Sequence, residues 1–296
     1  MSYIGELSAL LTACLWAGSA MVFASAIKRT GSFQVNITRL ILAAIYLIIF
    51  ILVLGLDLKL SLRQYANLCI SGFIGLSLGD TFLFKAFQEI GARISMLIMS
   101  LAPAIAATLA YYFLGETISF LGVIGIGVTL FGIGIVVFDR SDRTSEKNIA
   151  SVAGISYALL GAVGQGVSLI FAKMAFQESD VNGFVASAIR IISSLIFLLP
   201  LAMMTSRFES PLRMLKKDRR AFILTALGAI FGSFLGISFS LIAIGNTDVG
   251  VAATIMAIVP IIMLPIVRII YKEKLNWRAV SGAFVAVGGV ALLFLR

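Results

Sequence analysis

Apolar residues fill long stretches of this chain, and polar residues gather in short breaks between them. Each stretch holds about 20 predominantly apolar residues, the length that crosses a bilayer core as an α-helix. The pattern predicts ten spans, at 5–26, 33–54, 66–88, 92–114, 118–138, 150–175, 182–204, 221–244, 249–271 and 276–295. The runs are too long for the strands of a membrane barrel and lack sustained two-residue alternation. The predicted architecture is all-α integral membrane. The longest polar breaks, 139–148 and 207–220, are too short to hold a soluble domain.

The chain also repeats itself. Pro103, Glu116, Gly125 and Gly132 recur at one constant offset as Pro260, Glu273, Gly282 and Gly289, and Gly79 recurs as Gly236. Nearer the front, Ala9-Leu10-Leu11 and Ser19 return as Ala158-Leu159-Leu160 and Ser168, and Arg39 matches Arg190. Small loop insertions explain the drift in offset. Each copy holds five spans, an odd number, so the second copy enters the membrane upside down. The predicted organisation is a first five-helix repeat at 1–138, a cytoplasmic linker at 139–149 and an inverted second repeat at 150–296. Inverted repeats build secondary transporters with a solute site near the midplane. Two long units exclude a solenoid of many short ones.

Composition agrees with the pattern. Hydrophobic residues make up 60% of the chain and charged ones 12%, against about 25% charged in a soluble domain. The net charge of +9 points to topology, not to nucleic acid. Loops after odd-numbered spans hold Lys28, Arg29, Arg93 and the basic groups within 140–147, 207–220 and 272–278; the other side holds only Lys59, Arg63 and Arg296. The positive-inside rule then puts odd-span loops in the cytoplasm and both termini outside. Met1 to Glu6 carries no Lys or Arg, so the first span is not expected to be a cleaved signal. Cys14 and Cys69 fall inside predicted spans and suggest neither disulfide nor metal site. Histidine is absent, which removes the commonest proton shuttle and metal ligand. No cofactor or metal is expected.

Several segments together form a family pattern. Leu15-Trp16-Ala17-Gly18-Ser19, Arg39-Leu40-Ile41-Leu42-Ala43, Phe84-Lys85-Ala86-Phe87-Gln88 and Pro103-Ala104-Ile105-Ala106-Ala107 through Leu114-Gly115-Glu116 stand in order, and Val259-Pro260 with Glu273 repeats the last block. The chain resembles EamA-type carriers of the drug/metabolite transporter superfamily, as two such domains over nearly its whole length. The resemblance implies ten helices, a central cavity and transport of a small solute, and it favours export or exchange over uptake. Lys85, where the family more often has an aromatic residue, and Gln165, at the position paired with Trp16, depart from the pattern.

Asp80 is the sharpest candidate for function. It lies well inside span 3, and its repeat partner is Ile237. An acidic group near a helix centre costs about 2.5–3.5 kcal/mol on insertion scales. A water-filled cavity, a basic neighbour or a proton must offset that cost. The functional reading is a solute contact or a protonatable coupling site; the structural reading is a fixed ion pair. Trp16, Ser19 and Phe23 share one face of span 1, and Gln165 and Ser168 take the matching face of span 6. These residues, with the aromatic Phe84, would clasp an amphipathic solute or simply pack helices.

Met96, Ser100 and Pro103 share a face of span 4, matched by Ala253, Ala257 and Pro260 in span 9. Pro103 and Pro260 each remove a backbone hydrogen bond and are candidate hinges. Lys85 closes span 3, where it either snorkels or forms a basic mouth; it does not pair simply with Asp80, because five residues turn a helix by about 140°. Arg39 and Arg190 are candidate gates expected on opposite membrane sides, or else interfacial anchors. Abundant glycine in spans 5 and 10 reads as close helix packing.

The expected function is a secondary transporter of a small organic metabolite across the cytoplasmic membrane by alternating access. Asp80 points to a cationic group or proton coupling and Lys85 to an anion; a zwitterion such as an amino acid satisfies both. The expected partners are that solute and the lipid bilayer; the sequence does not fix an oligomeric state. The alternatives are a passive channel and an integral membrane enzyme, and no nucleophile–base set supports the latter.

Overall fold

The computed structural model describes residues 3–114, 119–137, 151–204, 208–247, 249–270 and 276–294. The predicted linker 139–149, Glu116, Glu273 and several loop cations, among them Arg140, Arg207 and Lys272, lie outside the described residues. Among these residues every regular element is a helix: α1 (Ile4–Thr30), α2 (Ser32–Leu54), α3 (Leu62–Gly72), α4 (Asp80–Met99), α5 (Ala102–Leu114), α6 (Phe120–Val137), α7 (Val152–Glu178), α8 (Gly183–Met204), α9 (Pro211–Lys217), α10 (Arg219–Gly228), α11 (Ile237–Asn246), α12 (Val249–Met256), α13 (Val259–Ile270) and α14 (Trp277–Phe294). Two π-helical segments, Phe73–Gly79 and Ala229–Gly236, join α3 to α4 and α10 to α11. Among the described residues seven stretches are long and apolar enough to cross a membrane, and the apolar helices at 120–136 and 277–292 are shorter.

The fourth and ninth predicted spans are not single helices. Helical structure runs from Leu62 to Met99, and Gly91 (φ +77°) turns the chain within it. Nothing would crowd a Cβ there, so the left-handed backbone itself calls for glycine. The helix then breaks before α5, at Ser100–Leu101, where the N–H of Leu101 bonds to the carbonyl of Ile98 at 3.0 Å. Its counterpart breaks between α12 and α13, where the N–H of Ile258 bonds to the carbonyl of Ile255 at 3.2 Å. Both breaks stand just ahead of Pro103 and Pro260. A proline in the first turn of a new helix costs no hydrogen bond that the helix would have made. The sequence pointed to a hinge within one continuous span; the chain instead ends one helix and starts another.

The first helix of each half lies along the third span of the other. Thr247 Oγ1 donates to Glu6 at 3.2 Å, Trp16 Nε1 to the Gly232 carbonyl at 3.3 Å, and Arg29 Nε to Asp218 at 2.7 Å. These contacts run α1 antiparallel to α10–α11. In the same way Gly154 meets Ile90, Gln165 Nε2 donates to the Gly75 carbonyl at 3.2 Å, and Gln64 Nε2 donates to the Ala175 carbonyl at 3.1 Å. Helix α7 is therefore antiparallel to α3–α4. Ser61 starts α3 with a capping box to Gln64, and that same glutamine reaches the end of α7.

Glycines let α6 and α14 approach closely. A Cβ on Gly132 would stand 2.3 Å from the Ala286 nitrogen, and one on Gly289 would stand 2.4 Å from the Thr129 nitrogen. The earlier Thr129 thus faces the later Gly289, and the later Gly132 faces the earlier Ala286, so these two equivalent helices run antiparallel. Valine at Gly132 should lower the thermal midpoint of the purified protein, by an amount equivalent to about 1–3 kcal/mol of overpacking. Alanine at Gly127, which has open space around it, should leave the midpoint in place.

Between α9 and α10, Asp218 caps α10 and pairs with Arg29. The hydrogen bond from Arg29, then that from the Ala221 N–H, holds the Asp218 carboxyl below the usual carboxylate range. A depressed folded value means that the contribution is present at neutral pH and is lost as pH falls below the ordinary carboxylate range. Asp218→Asn should flatten the acid limb of a thermal-midpoint profile slightly, and the effect should shrink in high salt.

Candidate functional site

A cavity of about 170 Å³ opens where the two halves meet. Both π segments border it. The N–H of Asp80 reaches back five residues to the Gly75 carbonyl, and that of Ile237 reaches back to the Gly232 carbonyl. Each carbonyl also accepts a side-chain bond from the opposite half: Gln165 donates to Gly75 and Trp16 to Gly232. Trp16 and Gln165 are repeat mates, as are Gly232 and Gly75. One hydrogen bond is thus made twice, by different side chains. The π segments are rich in glycine for a steric reason. A Cβ on Gly232 would stand 2.6 Å from Ser19 Oγ, and one on Gly75 would stand 2.4 Å from Ser168 Oγ. Irregular turns of this kind are frequent at functional sites.

An ion pair crosses the centre. Arg39 Nη2 donates to Asp80 Oδ2 at 2.5 Å, and both residues are buried, at 3% and 6% exposure. Arg39 Nη1 donates to Ser233 Oγ at 2.8 Å, and Nε and Nη2 both donate to Asn36 Oδ1, at 3.0 and 2.9 Å. Its guanidinium lies 4.5 Å from the Phe84 ring centre and 5.7 Å from that of Phe23, a cation–π cradle. Gln165 Nε2 donates to the other Asp80 oxygen, Oδ1, at 2.7 Å. Both oxygens of Asp80 are therefore occupied. A solute group that reaches Asp80 shares it with Arg39 and Gln165.

Trp16, Ser19, Phe23, Arg39, Asp80, Phe84, Met96, Ser100, Pro103, Gln165, Arg190 and Pro260 all border the cavity. Two candidates do not. Lys85 points away and pairs with Glu89 at 3.2 Å, because the helix turns it off the Asp80 face. Ser168 is fully buried behind the wall, bonded to Ser71 and accepting from Arg190 Nη2 at 3.0 Å. Neither arginine snorkels; both converge on the same cavity and add α2 and α8 to its lining. Sequence reasoning missed Asn36, Ser233, Met99 and Met256. The last two are repeat mates and soft, adaptable side chains, and their shared offset was the available signal.

A bundle of apolar helices around a polar-floored cavity of solute size is the build of an integral membrane protein that handles a small molecule. The chain belongs to the EamA-like transporter family, which it matches twice, over residues 3–138 and 152–295. It is similar to an uncharacterized transporter of Archaeoglobus fulgidus, 22% identical over 295 residues, covering 98% of this chain and 97% of that one. A second uncharacterized transporter of the same organism is 21% identical over 245 residues, 83% of each chain. A WAT1-related chloroplastic protein of Arabidopsis thaliana is 25% identical over 179 residues, 59% of this chain and 42% of that one. A crystal structure with 16% identity has the same fold, with a TM-score of 0.72 over 99% of this chain and 97% of that one. The protein is a transmembrane transporter, and its family and relatives point away from an enzyme.

Removing one partner of a buried ion pair costs about 3–5 kcal/mol, whereas replacing both by apolar groups is often neutral. Asp80→Leu should therefore destabilise the protein strongly. The double variant Arg39→Met with Asp80→Leu should recover most of that loss in a detergent unfolding assay.

Proposed function

We propose that this protein is a secondary transporter that moves a small organic solute across the cytoplasmic membrane by alternating access. Ten spans form two inverted five-helix repeats, 1–138 and 150–296, joined by the linker 139–149. The antiparallel packing of α6 on α14 supports the inversion, because repeats related by an axis along the membrane normal would set equivalent helices parallel. The observation that carries the reading is the reciprocal pair of bonds, Trp16 to Gly232 and Gln165 to Gly75. They tie each half to the irregular turn of the other across one cavity.

The mechanism follows from the same parts. The breaks before Pro103 and Pro260 give α5 and α13 short non-helical joints about which each would swing. Ser100 and Pro103 border the cavity from one half, and Ala257 and Pro260 border it from the other. Swinging α5 would open the cavity to one side and swinging α13 to the other, because the repeats are inverted. The Arg39–Asp80 pair would hold the centre while the rims move. The placement of basic loops favours both termini outside, and the family likeness favours export or exchange. A passive facilitator would use the same cavity without coupled rims.

Counterflow in proteoliposomes separates these readings. A carrier shows saturable counterflow of a solute found by thermal-shift screening, and a channel shows none. Orientation has its own check. With Cys14 and Cys69 replaced by alanine, a cysteine placed at Ser2 should react with a membrane-impermeant maleimide from outside, and one at Ser145 only from inside. Reaction of both from one side would exclude inversion.

A further inference from the structure

The two copies of the buried arginine have different surroundings. Arg39 spends its guanidinium on Asp80, Ser233 and Asn36. Arg190, its repeat mate, lacks the equivalent partners. Where Asp80 stands for Arg39, the second copy has Ile237; where Asn36 stands three residues ahead, it has Ser187, whose hydroxyl is buried without a hydrogen-bond partner. Arg190 is 6% exposed, and its Nη2 donates to Ser168 at 3.0 Å. Its Nε is buried with no partner. Among the described residues no carboxylate is in salt-bridge contact with it, and it borders the cavity.

The seat of Arg190 is fixed. A Cβ on Gly72 would stand 2.2 Å from the Arg190 carbonyl oxygen, and one on Gly75 would stand 3.4 Å from its Nη2. Helix α8 is pressed against α3 and the first π segment, so the guanidinium has no retreat to an interface. Charge in the cavity wall is therefore unbalanced. Two guanidinium groups face one carboxylate, whose direct hydrogen bonds go to Arg39 and Gln165 and not to Arg190. A buried cation without a counter-charge is costly. A guanidinium fork matches a carboxylate in a paired geometry that a single ammonium does not.

The rest of the cavity restricts the solute. The positions equivalent to Asp80 and Phe84 are Ile237 and Leu241, both on the wall. The volume of about 170 Å³ is close to that of an engineered cavity of about 150 Å³ that holds benzene. That leaves room for one ring or a branched chain of similar bulk.

We infer that Arg190 is the docking point for the carboxylate of a small amphipathic organic anion. The carboxylate completes the hydrogen bonding of Arg190, and a compact apolar body lies against the wall near Ile237 and Leu241. A monocarboxylate fits better than the zwitterion expected from sequence, because an ammonium group would have to compete with Arg39 and Gln165 for Asp80. The inference deepens the carrier reading and rests on it for the cavity being open to solute.

Four probes with one ring test the charge requirement on the full-length purified protein: phenylacetate, phenylalanine, phenethylamine and phenethyl alcohol. Phenylacetate should raise the thermal midpoint most, phenylalanine less, and the amine and the alcohol not at all. Arg190→Gln should weaken phenylacetate binding tenfold or more, the loss expected for a hydrogen-bonded charge. Arg190→Lys should retain part of it. The inference fails if phenylacetate gives no shift, if any other probe equals it, or if Arg190→Gln binds it as tightly as the parent. Should Arg190→Gln not fold, the ranking of the four probes on the parent protein still decides. Counterflow keeps the two readings apart. Binding of phenylacetate without counterflow keeps the anion site and removes the carrier; counterflow of a neutral or cationic solute in preference to phenylacetate keeps the carrier and removes the anion site.

Discussion

A charge inside an apolar bundle must be answered, and in this protein the answer ties the bundle together. The carboxylate of Asp80 sits at the end of one π segment, Arg39 reaches it from α2, and Gln165 reaches it from α7. Arg39 then extends to Ser233 in the π segment of the other half. Four helical stretches from both halves meet through two side chains and their partners. The pair makes a poor stabiliser by itself, since desolvation consumes most of its attraction. Its effect is on register: any slip of α2 or the third span would leave a bare charge in the interior, and a slip of α7 would take an amide donor from Asp80.

The irregular backbone follows from the same constraint. A π turn shifts the donor to each glycine carbonyl and leaves room for a second, side-chain donor. Inside a membrane such backbone is tolerated only where it is buried in protein or lines a cavity. Both π segments meet that condition, and the bonds from Trp16 and Gln165 stabilise them. Glycine is required there because the first helix of the opposite half passes against the turn, at Ser19 on one side and Ser168 on the other. Irregularity, glycine content and the crossing of the halves are one arrangement.

Much of this was legible in the chain. Hydrophobic pattern marked where the helices lie, and the offset between Pro103 and Pro260 marked the two equivalent breaks. Face-sharing placed Trp16, Ser19 and Phe23 on the cavity wall. Other features were not legible because they are relations between distant segments. Nothing local to Arg39 says that it meets Asp80 rather than an interface, since a long side chain at that depth can reach either. The π turns were hidden for a similar reason: Gly75 and Gly79 read equally well as packing glycines in a regular helix. Lys85 misled because a cation in a span draws attention, yet one helical turn gave it Glu89 as a partner.

Duplication explains how a closed site and an open one arise from a single pattern. Both copies keep the arginine, the serine on the facing helix and the glycine that admits it. The first copy carries the counter-ion at position 80, and the second carries an apolar residue at position 237. Had both copies carried the acid, the two arginines would each be satisfied internally and the cavity would be neutral. Had neither carried it, two unanswered cations would stand together in a low-dielectric interior, where like charges repel strongly. One acid for two arginines is the arrangement that fixes the frame with the first and leaves the second to be satisfied by whatever enters. A symmetric fold thereby acquires an asymmetric site without altering its helices.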